Sequence, residues 1–312
     1  MKVYFWCPYF RTGGPESLTQ WCDMMNLLGY DASMFYLDAS DIPHPSAVKL
    51  TDSSPVLFSE KYTHVKRSFD IEDREENILF VPEVVRIDDV RATYKKIRLV
   101  IAWLSITSGL PRLDHYLSHP DAIHVFQSFR AHRDVLERAR VLGLKEPAWF
   151  DIDDYIHDAY TLQGWDPSQK ENLVAYNPTK DRVTPLICAH FKITTVPIFG
   201  MSFHQVIQTL KRCKVYVDCG NHPGRDRIPR EAALLGCIVV TNREGTAECF
   251  EDVPVETKAR DANELVQMIR RAMHDYPTCS AAQDDYVKII RESKFKCAKQ
   301  VQAFWTEFNF KS

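Results

Sequence analysis

The chain has 312 residues, with a hydrophobic fraction of 45% and a charged fraction of 26%, enough for two domains that each bury a core. Its net charge of -3 argues against a nucleic-acid binder, and the lack of any apolar run of about 18 residues argues against a transmembrane segment. Nine cysteines at irregular spacing, without a CxxC pair, suit reduced buried thiols in a cytoplasmic protein better than disulfides or a zinc site.

The start, MKVYFWCPYF, carries no signal-peptide pattern and reads as a first strand, Lys2 to Cys7. Gly13, Gly14 and Pro15 then open a helix whose apolar stripe runs through Leu18, Trp21, Cys22, Met25 and Leu28. Gly13 and Gly14 would let a ligand approach the backbone closely at a helix N-terminus, although a tight turn without a ligand fits equally well. The spacing is not GxGxxG, so a dinucleotide site of the usual kind is not indicated.

Further strands are predicted at 32–37, 55–58, 78–81, 99–104 and 123–126, with helical segments at 87–97 and 131–142 between them. Such alternation implies an open, largely parallel α/β sheet covered on both faces. Residues 147–169, rich in Asp and Pro, read as the connection between domains. The run Asp151-Ile152-Asp153-Asp154 there reads as an acidic turn in preference to a metal-binding pair.

The second domain is predicted to begin with a strand at 173–176 followed by the turn Asn177, Pro178, Thr179, Lys180. A helix at 185–190, a strand at 192–196 and a helix at 202–212 precede a βαβ unit between Val215 and Glu248. In it a strand, a loop, a helix opened by Pro229 and ended by Gly236, and the strand Cys237 to Val240 follow one another. Ligands of parallel sheets bind beyond the carboxyl ends of the strands, where this unit places Asp218, His222, Arg225, Asp226, Arg227, Arg230 and Glu231. Arginines around a helix start suit a phosphate or diphosphate. The charge distribution agrees: residues 1–165 carry 18 basic and 24 acidic side chains, the remainder 21 and 18. A strand at 253–256, a helix at 261–276 capped by Asp261, and a last helical segment at 298–308 complete the reading. That last segment would pack on the body of the protein, with a partner or membrane groove left open.

At this point GRDRIPREAALLGCIVVTNREGTAE resembles the nucleotide-sugar site of GT-B glycosyltransferases, above all the retaining family 4 type. The GGPES loop and AYNPTK match the same plan. The resemblance implies two Rossmann-like domains facing each other across a cleft: 1–162 on the acceptor side, 170–295 on the nucleotide-sugar side, and 296–312 as a C-terminal helix packing back. It implies transfer of a sugar from a nucleoside-diphosphate sugar, the donor substrate, to an acceptor hydroxyl, glycan, lipid-linked or other, without a metal or other cofactor. Peripheral membrane association stays open. Glu231 matches the second glutamate of the family's E-x7-E motif, which holds the donor ribose. Lys180 matches the lysine that neutralises the leaving diphosphate, and Gly14 the N-terminal loop glycine. The expected donor-binding set is Gly13, Gly14, Asn177, Lys180, Arg225, Asp226, Arg227, Arg230 and Glu231; Lys180, Arg227 and His222 are the candidates for catalysis. Pro223 stands where the family has its first glutamate, a departure that keeps two alternatives open: a non-catalytic GT-B-fold scaffold subunit and a nucleotide-sugar epimerase.

Overall fold

The computed structural model describes residues 1–38, 49–162 and 165–308. The chain divides into two compact units, one comprising Met1–Tyr155 with Ser293–Ser312 and the other Ile156–Glu292.

The first unit is built on a seven-stranded sheet, β1 (Val3–Pro8), β2 (Ala32–Leu37), β3 (Lys66–Ser68), β4 (Ile78–Pro82), β5 (Arg98–Trp103), β6 (Ile123–Phe126) and β7 (Trp149–Asp151). The strands lie in the order β3-β2-β1-β4-β5-β6-β7, and each pair is parallel. Parallel strands must be buried on both faces, which is why Ile78, Leu79, Phe80, Val81 and Val100, Ile101, Ala102, Trp103 run without polar interruption. The chain leaves β1 toward β2 and β3 but returns at β4 to build the other half, so the switch point lies between β1 and β4.

Helix α1 (Gly13–Leu27) follows β1, and α2 (Ile87–Thr93), α3 (Ile106–Gly109), α4 (Leu113–Leu117) and α5 (Phe129–Val141) complete the crossovers. Gly13 and Gly14 belong to the first helical turn itself, not to a loop ahead of it, and neither takes a positive φ. One core lies between α1 and the sheet, where Phe5 stacks on Phe80 at 4.6 Å and Trp21 packs nearby. The opposite face buries Trp103, Tyr116 and Phe126.

The second unit carries four parallel strands in the order β11-β10-β8-β9: β8 (Glu171–Tyr176), β9 (Thr195–Pro197), β10 (Cys213–Asp218) and β11 (Ile238–Thr241). Helices α6 (Thr184–His190), α7 (Phe203–Arg212), α8 (Arg227–Leu234), α9 (Ala262–His274) and α10 (Tyr276–Ala281) connect or flank them. Ser202 and Gln205 form a capping box on α7, and Asp261 caps α9 by accepting from Asn263 and Glu264. Helix α11 (Asp284–Glu307) places Tyr286 and Ile290 in the second unit's core and Cys297, Val301, Phe304 and Trp305 in the first unit's. All nine cysteines are free thiols, and seven are buried. Among the described residues, no helix is long and apolar enough to cross a membrane.

Four sequence-based expectations are corrected. The segment 55–58 forms turns instead of a strand: Phe58 has φ 59°, and the backbone is satisfied by side chains, Leu57 N donating to Tyr36 Oη at 3.0 Å and Pro55 O accepting from Tyr9 Oη at 2.9 Å. The polar triplet Lys66–Ser68 takes the edge position instead. No strand forms at 253–256; beyond it, a single bridge joins Lys258 to Thr241. The interdomain connection expected at 147–169 contains β7, and its acidic run serves as an anchor: Asp153 pairs with Lys296 at 2.9 Å and its backbone N–H donates to Gln300. The last helix begins at Asp284 rather than near 298, because the buried stripe continues backwards through the small Ser293, which interrupts its apolar signature. Residues 309–312 of the expected C-terminal segment lie outside the described residues.

His124 on β6 is fully buried, and its Nδ1 accepts from Trp103 Nε1 at 3.0 Å. Burial disfavours the imidazolium and pushes the group down to about 4. Because the folded value is depressed, stability is complete above the ordinary histidine range and falls as pH drops from about 6.5 toward 4, by up to about 3 kcal/mol. Urea denaturation at pH 7.5, 5.5 and 4.5 should trace that loss. His124→Gln, which keeps an acceptor but does not titrate, should flatten the profile, whereas an unchanged slope would place the acid sensitivity elsewhere.

Candidate functional site

Three loops meet at the carboxyl edge of the second unit's sheet, because β8, β10 and β11 are neighbours. The loop after β8 carries Asn177 and Lys180. Asn177 Oδ1 accepts from Thr179, and the backbone N–H groups of Lys180 and Asp181 donate to Asn177 O, which closes a tight turn. Buried Asp181 then ties this turn to the next loop: Oδ1 accepts from Thr184 N and Oδ2 from Cys219 N, each at 2.9 Å. The approach is close enough that a Cβ on Gly220 would lie 2.8 Å from Lys180 O. Asp181 was not among the sequence-derived candidates. The signal available was its spacing to Thr184 and Pro185 at a helix start, a capping pattern with the acid three residues ahead of the threonine.

The loop after β10 carries the charged groups. Asp226 is the hub: one oxygen binds the ammonium of Lys180 and the other lies 3.0 Å from His222 Nδ1. His222 Nε2 faces Asp218 O at 3.2 Å and Asp218 Oδ1 at 3.8 Å, and Tyr216 Oη donates to Asp218 Oδ2 at 3.4 Å. Lys180, Asp226, His222, Asp218 and Tyr216 therefore form one chain of polar contacts running from the loop surface to the strand interior. Burial drives the Asp218 carboxyl above the usual carboxylate range. For His222 burial works against the charged form, but the hydrogen bond to Asp226 and the charges of Asp218 and Asp226 outweigh it, so the imidazolium is favoured. Asp226 is likewise opposed by burial, yet the hydrogen bond with His222 and the charge of Lys180 hold it below the usual range.

Asp218, His222 and Asp226 bring three ligand atoms within 4.8 Å of one another. Their chemistry does not suit a cation. The imidazole is engaged by both carboxyl-bearing residues, and an ammonium already neutralises Asp226.

The arginines divide. Arg227, in the first turn of α8, has Nε 3.9 Å from Glu231 Oε1, an i,i+4 pair with both side chains largely enclosed. Arg230 turns inward, its Nε donating to Asp226 O at 3.1 Å and its Nη2 to Arg225 O at 2.9 Å, so it closes the loop on itself. Arg225 lines the same hollow beneath the loop as His222, Asp226 and Arg230. The structure thus brings Asn177, Lys180, His222, Arg225, Asp226, Arg227, Arg230 and Glu231 into one unit and one edge. Gly13 and Gly14 belong to the other unit, at the start of α1.

The third loop, after β11, locks the second. Thr246 Oγ1 donates to Gly224 O at 2.7 Å, Thr246 N to His222 O at 2.9 Å, and Asn242 Nδ2 to Gly220 O at 2.9 Å. Sequence reasoning missed Asn242 and Thr246 as site-forming residues, since neither carries charge.

No protein-family model and no curated protein matches the chain by sequence. Solved structures do match in three dimensions. HepE from Anabaena, crystallised with UDP-glucose, superposes with a TM-score of 0.67 over 98% of this chain and 100% of its own, at 12% identity. The chain has the GT-B fold. Trehalose-6-phosphate synthase OtsA matches at 0.64 and 9% identity over 98% of both chains. A DNA-modifying β-glucosyltransferase, solved with and without uridine diphosphoglucose, matches at 0.56 and 10% identity over 98% of this chain and 99% of its own. Within this GT-B chain the three loops just described occupy the carboxyl edge of the C-terminal sheet.

The turn at Gly245 leaves no room for a side chain. Its φ is +60°, and a Cβ there would lie 2.1 Å from His222 O. Gly245→Ala should cost about 2 kcal/mol or more in chemical denaturation and push the His222 backbone out of place. Wild-type stability in that variant would show that the third loop does not brace the second.

Proposed function

We propose that the chain is a glycosyltransferase, moving a sugar from a nucleoside-diphosphate sugar to an acceptor hydroxyl in glycan or glycoconjugate synthesis. The observation that carries this reading is the anchored ammonium of Lys180, held by Asp226 at the carboxyl edge of a parallel sheet beside the N-terminus of α8. The UDP-glucose complexes of HepE and the β-glucosyltransferase support a uridine diphosphate sugar as the first donor to try.

In this reading the diphosphate lies against Lys180, Arg225 and Arg227, Asn177 shapes the Lys180 turn, and Glu231 accepts from the ribose hydroxyls. Arg230 and His222 act through their neighbours, one by closing the loop and the other by holding Asp226. The reaction breaks the bond between the anomeric carbon and the diphosphate oxygen and forms one to the acceptor oxygen. The acceptor's proton passes to the departing phosphate. Negative charge grows on the leaving group, so fixed cations and helix N–H groups placed there lower the barrier without reorganising. We read the transfer as retaining and metal-independent, since protein cations would meet the leaving-group charge.

Release of nucleoside diphosphate from a panel of donors, with thermal shifts in parallel, tests the reading. Lys180→Ala should lower kcat/KM by about a hundredfold, or about 3 kcal/mol, and Glu231→Gln should act mainly on donor KM. If no nucleoside diphosphate shifts the melting temperature, the reading fails. Tight binding with no release from any donor would instead identify a scaffold, and conversion of the donor without an acceptor an epimerase.

A further inference from the structure

A second cluster of metal-ligating side chains lies in the first unit, apart from the residues assigned above. Asp88 stands in the first turn of α2, His115 on α4, and His119 in the turn that follows α4. One ligand atom from each falls within 4.8 Å of the others. Asp88 Oδ2 is 3.7 Å from His115 Nδ1, and Asp88 Oδ1 is 3.5 Å from His119 Nε2. The two imidazoles stand edge to face, centroids 4.9 Å apart.

These separations are long for hydrogen bonds, whose heavy atoms prefer about 2.7–3.2 Å. They lie nearer another spacing. Ligands about 2.0–2.1 Å from a tetrahedral ion stand roughly 3.3–3.5 Å from each other. The carboxylate and the two imidazoles thus face one another within 4.8 Å without a hydrogen bond of ordinary length from the carboxylate to either ring. His115 Nε2 is enclosed and has no hydrogen-bond partner, so Nδ1 is the nitrogen presented to Asp88. Arg86 Nη2 also approaches Asp88 Oδ2, at 3.8 Å, from an exposed position, and an ion would displace it.

The backbone under the cluster is rigid. Tyr116, fully buried between the two histidines in sequence, donates to Val85 O at 2.8 Å and also bonds Glu83 O. That phenol pins α4 to the loop leading into α2. Ile87 and Val90 bury the other side of α2 completely, so Asp88 cannot drift without unpacking the sheet face. Ligands on pre-positioned elements pay little ordering cost.

We propose that Asp88, His115 and His119 form a binding site for a divalent transition-metal ion of the zinc class, tying α2 to α4 and keeping an open coordination position toward solvent. Two imidazoles and one carboxylate are borderline donors that suit zinc, cobalt or nickel better than magnesium or calcium. Three protein ligands with a fourth position open is the pattern of a site that binds water or an anion, in contrast to a closed structural site.

The test uses the full chain after dialysis against a chelator. Co2+ titration should give a visible absorption band saturating at one ion per chain, and calorimetry with Zn2+ should give the same stoichiometry. Asp88→Asn and His119→Gln should each weaken Zn2+ binding by about tenfold or more, while the thermal shift produced by nucleoside diphosphate stays as in the wild type. Both substitutions are near-isosteric, Asp88 is exposed and His119 half-buried, and circular dichroism confirms that the fold is kept. Failure of the wild type to bind either ion, or binding that both variants leave unaltered, would overturn the site. The second result would place the ion on ligands other than Asp88 and His119.

Discussion

A single carboxylate, Asp226, is shared between the ammonium of Lys180 and the imidazole of His222, and the loop edge of the second unit depends on that sharing. Three strands that are adjacent in space but distant in sequence each send one loop to this edge, and a loop gains a defined position only by bonding its neighbours. Asp226 does this between the β8 and β10 loops, Asp181 repeats it through Cys219, and Thr246 closes the β11 side on Gly224 and His222. An enclosed carboxylate bonded to an ammonium and an imidazole is stabilised by both; with one removed, the buried charge carries a desolvation cost of several kcal/mol. The network is therefore a strong device for holding one geometry and a poor one for tolerating partial loss.

The first unit solves the same problem with less charge. Glu83, at the end of β4, is buried, and burial pushes its carboxyl up to about 7 even though the backbone N–H of Leu104 donates to it at 3.1 Å. Tyr116 reaches the carbonyl of the same residue, so one position joins the ends of β4 and β5 to α4. At these strand ends the first unit uses a protonatable acid and a phenol, where the loops just described use ion pairs.

Much of the architecture was legible because parallel sheets write long apolar runs. Ile123–Phe126 has the same bounds in the sequence reading and in the structure, and α8 ends before Gly236 as its small apolar face and terminal glycine imply. What escaped the sequence shares a physical cause. The edge strand Lys66–Ser68 is polar because one of its sides has no neighbour to bury it, and periodicity has nothing to detect there. Conversely, Leu57 and Phe58 are apolar and buried without being a strand, since burial alone does not specify a ladder. At the site, charged residues were found by type and spacing, whereas Asn242 and Thr246 act through backbone carbonyls that no sequence pattern displays. The inward turn of Arg230 was also invisible, because a guanidinium bonding loop carbonyls and one facing a phosphate are written with the same letter.

The absence of a carboxylate at Pro223 acquires a physical meaning from the position of Asp226. Asp226 occupies the N-cap of α8, where an acidic side chain ordinarily accepts from the helix's first N–H groups, yet it makes no capping bond. Its oxygens serve Lys180 and His222 instead. A helix start whose cap carboxylate is engaged elsewhere keeps the positive end of its dipole available to an external anion. A second carboxylate three residues earlier would add negative charge to a loop whose cations already balance Asp226. In the proposed enzyme that charge would compete with the diphosphate for Lys180. Proline at this position therefore leaves the cationic character of the loop intact, and contacts to the sugar of the proposed donor would come from other side chains.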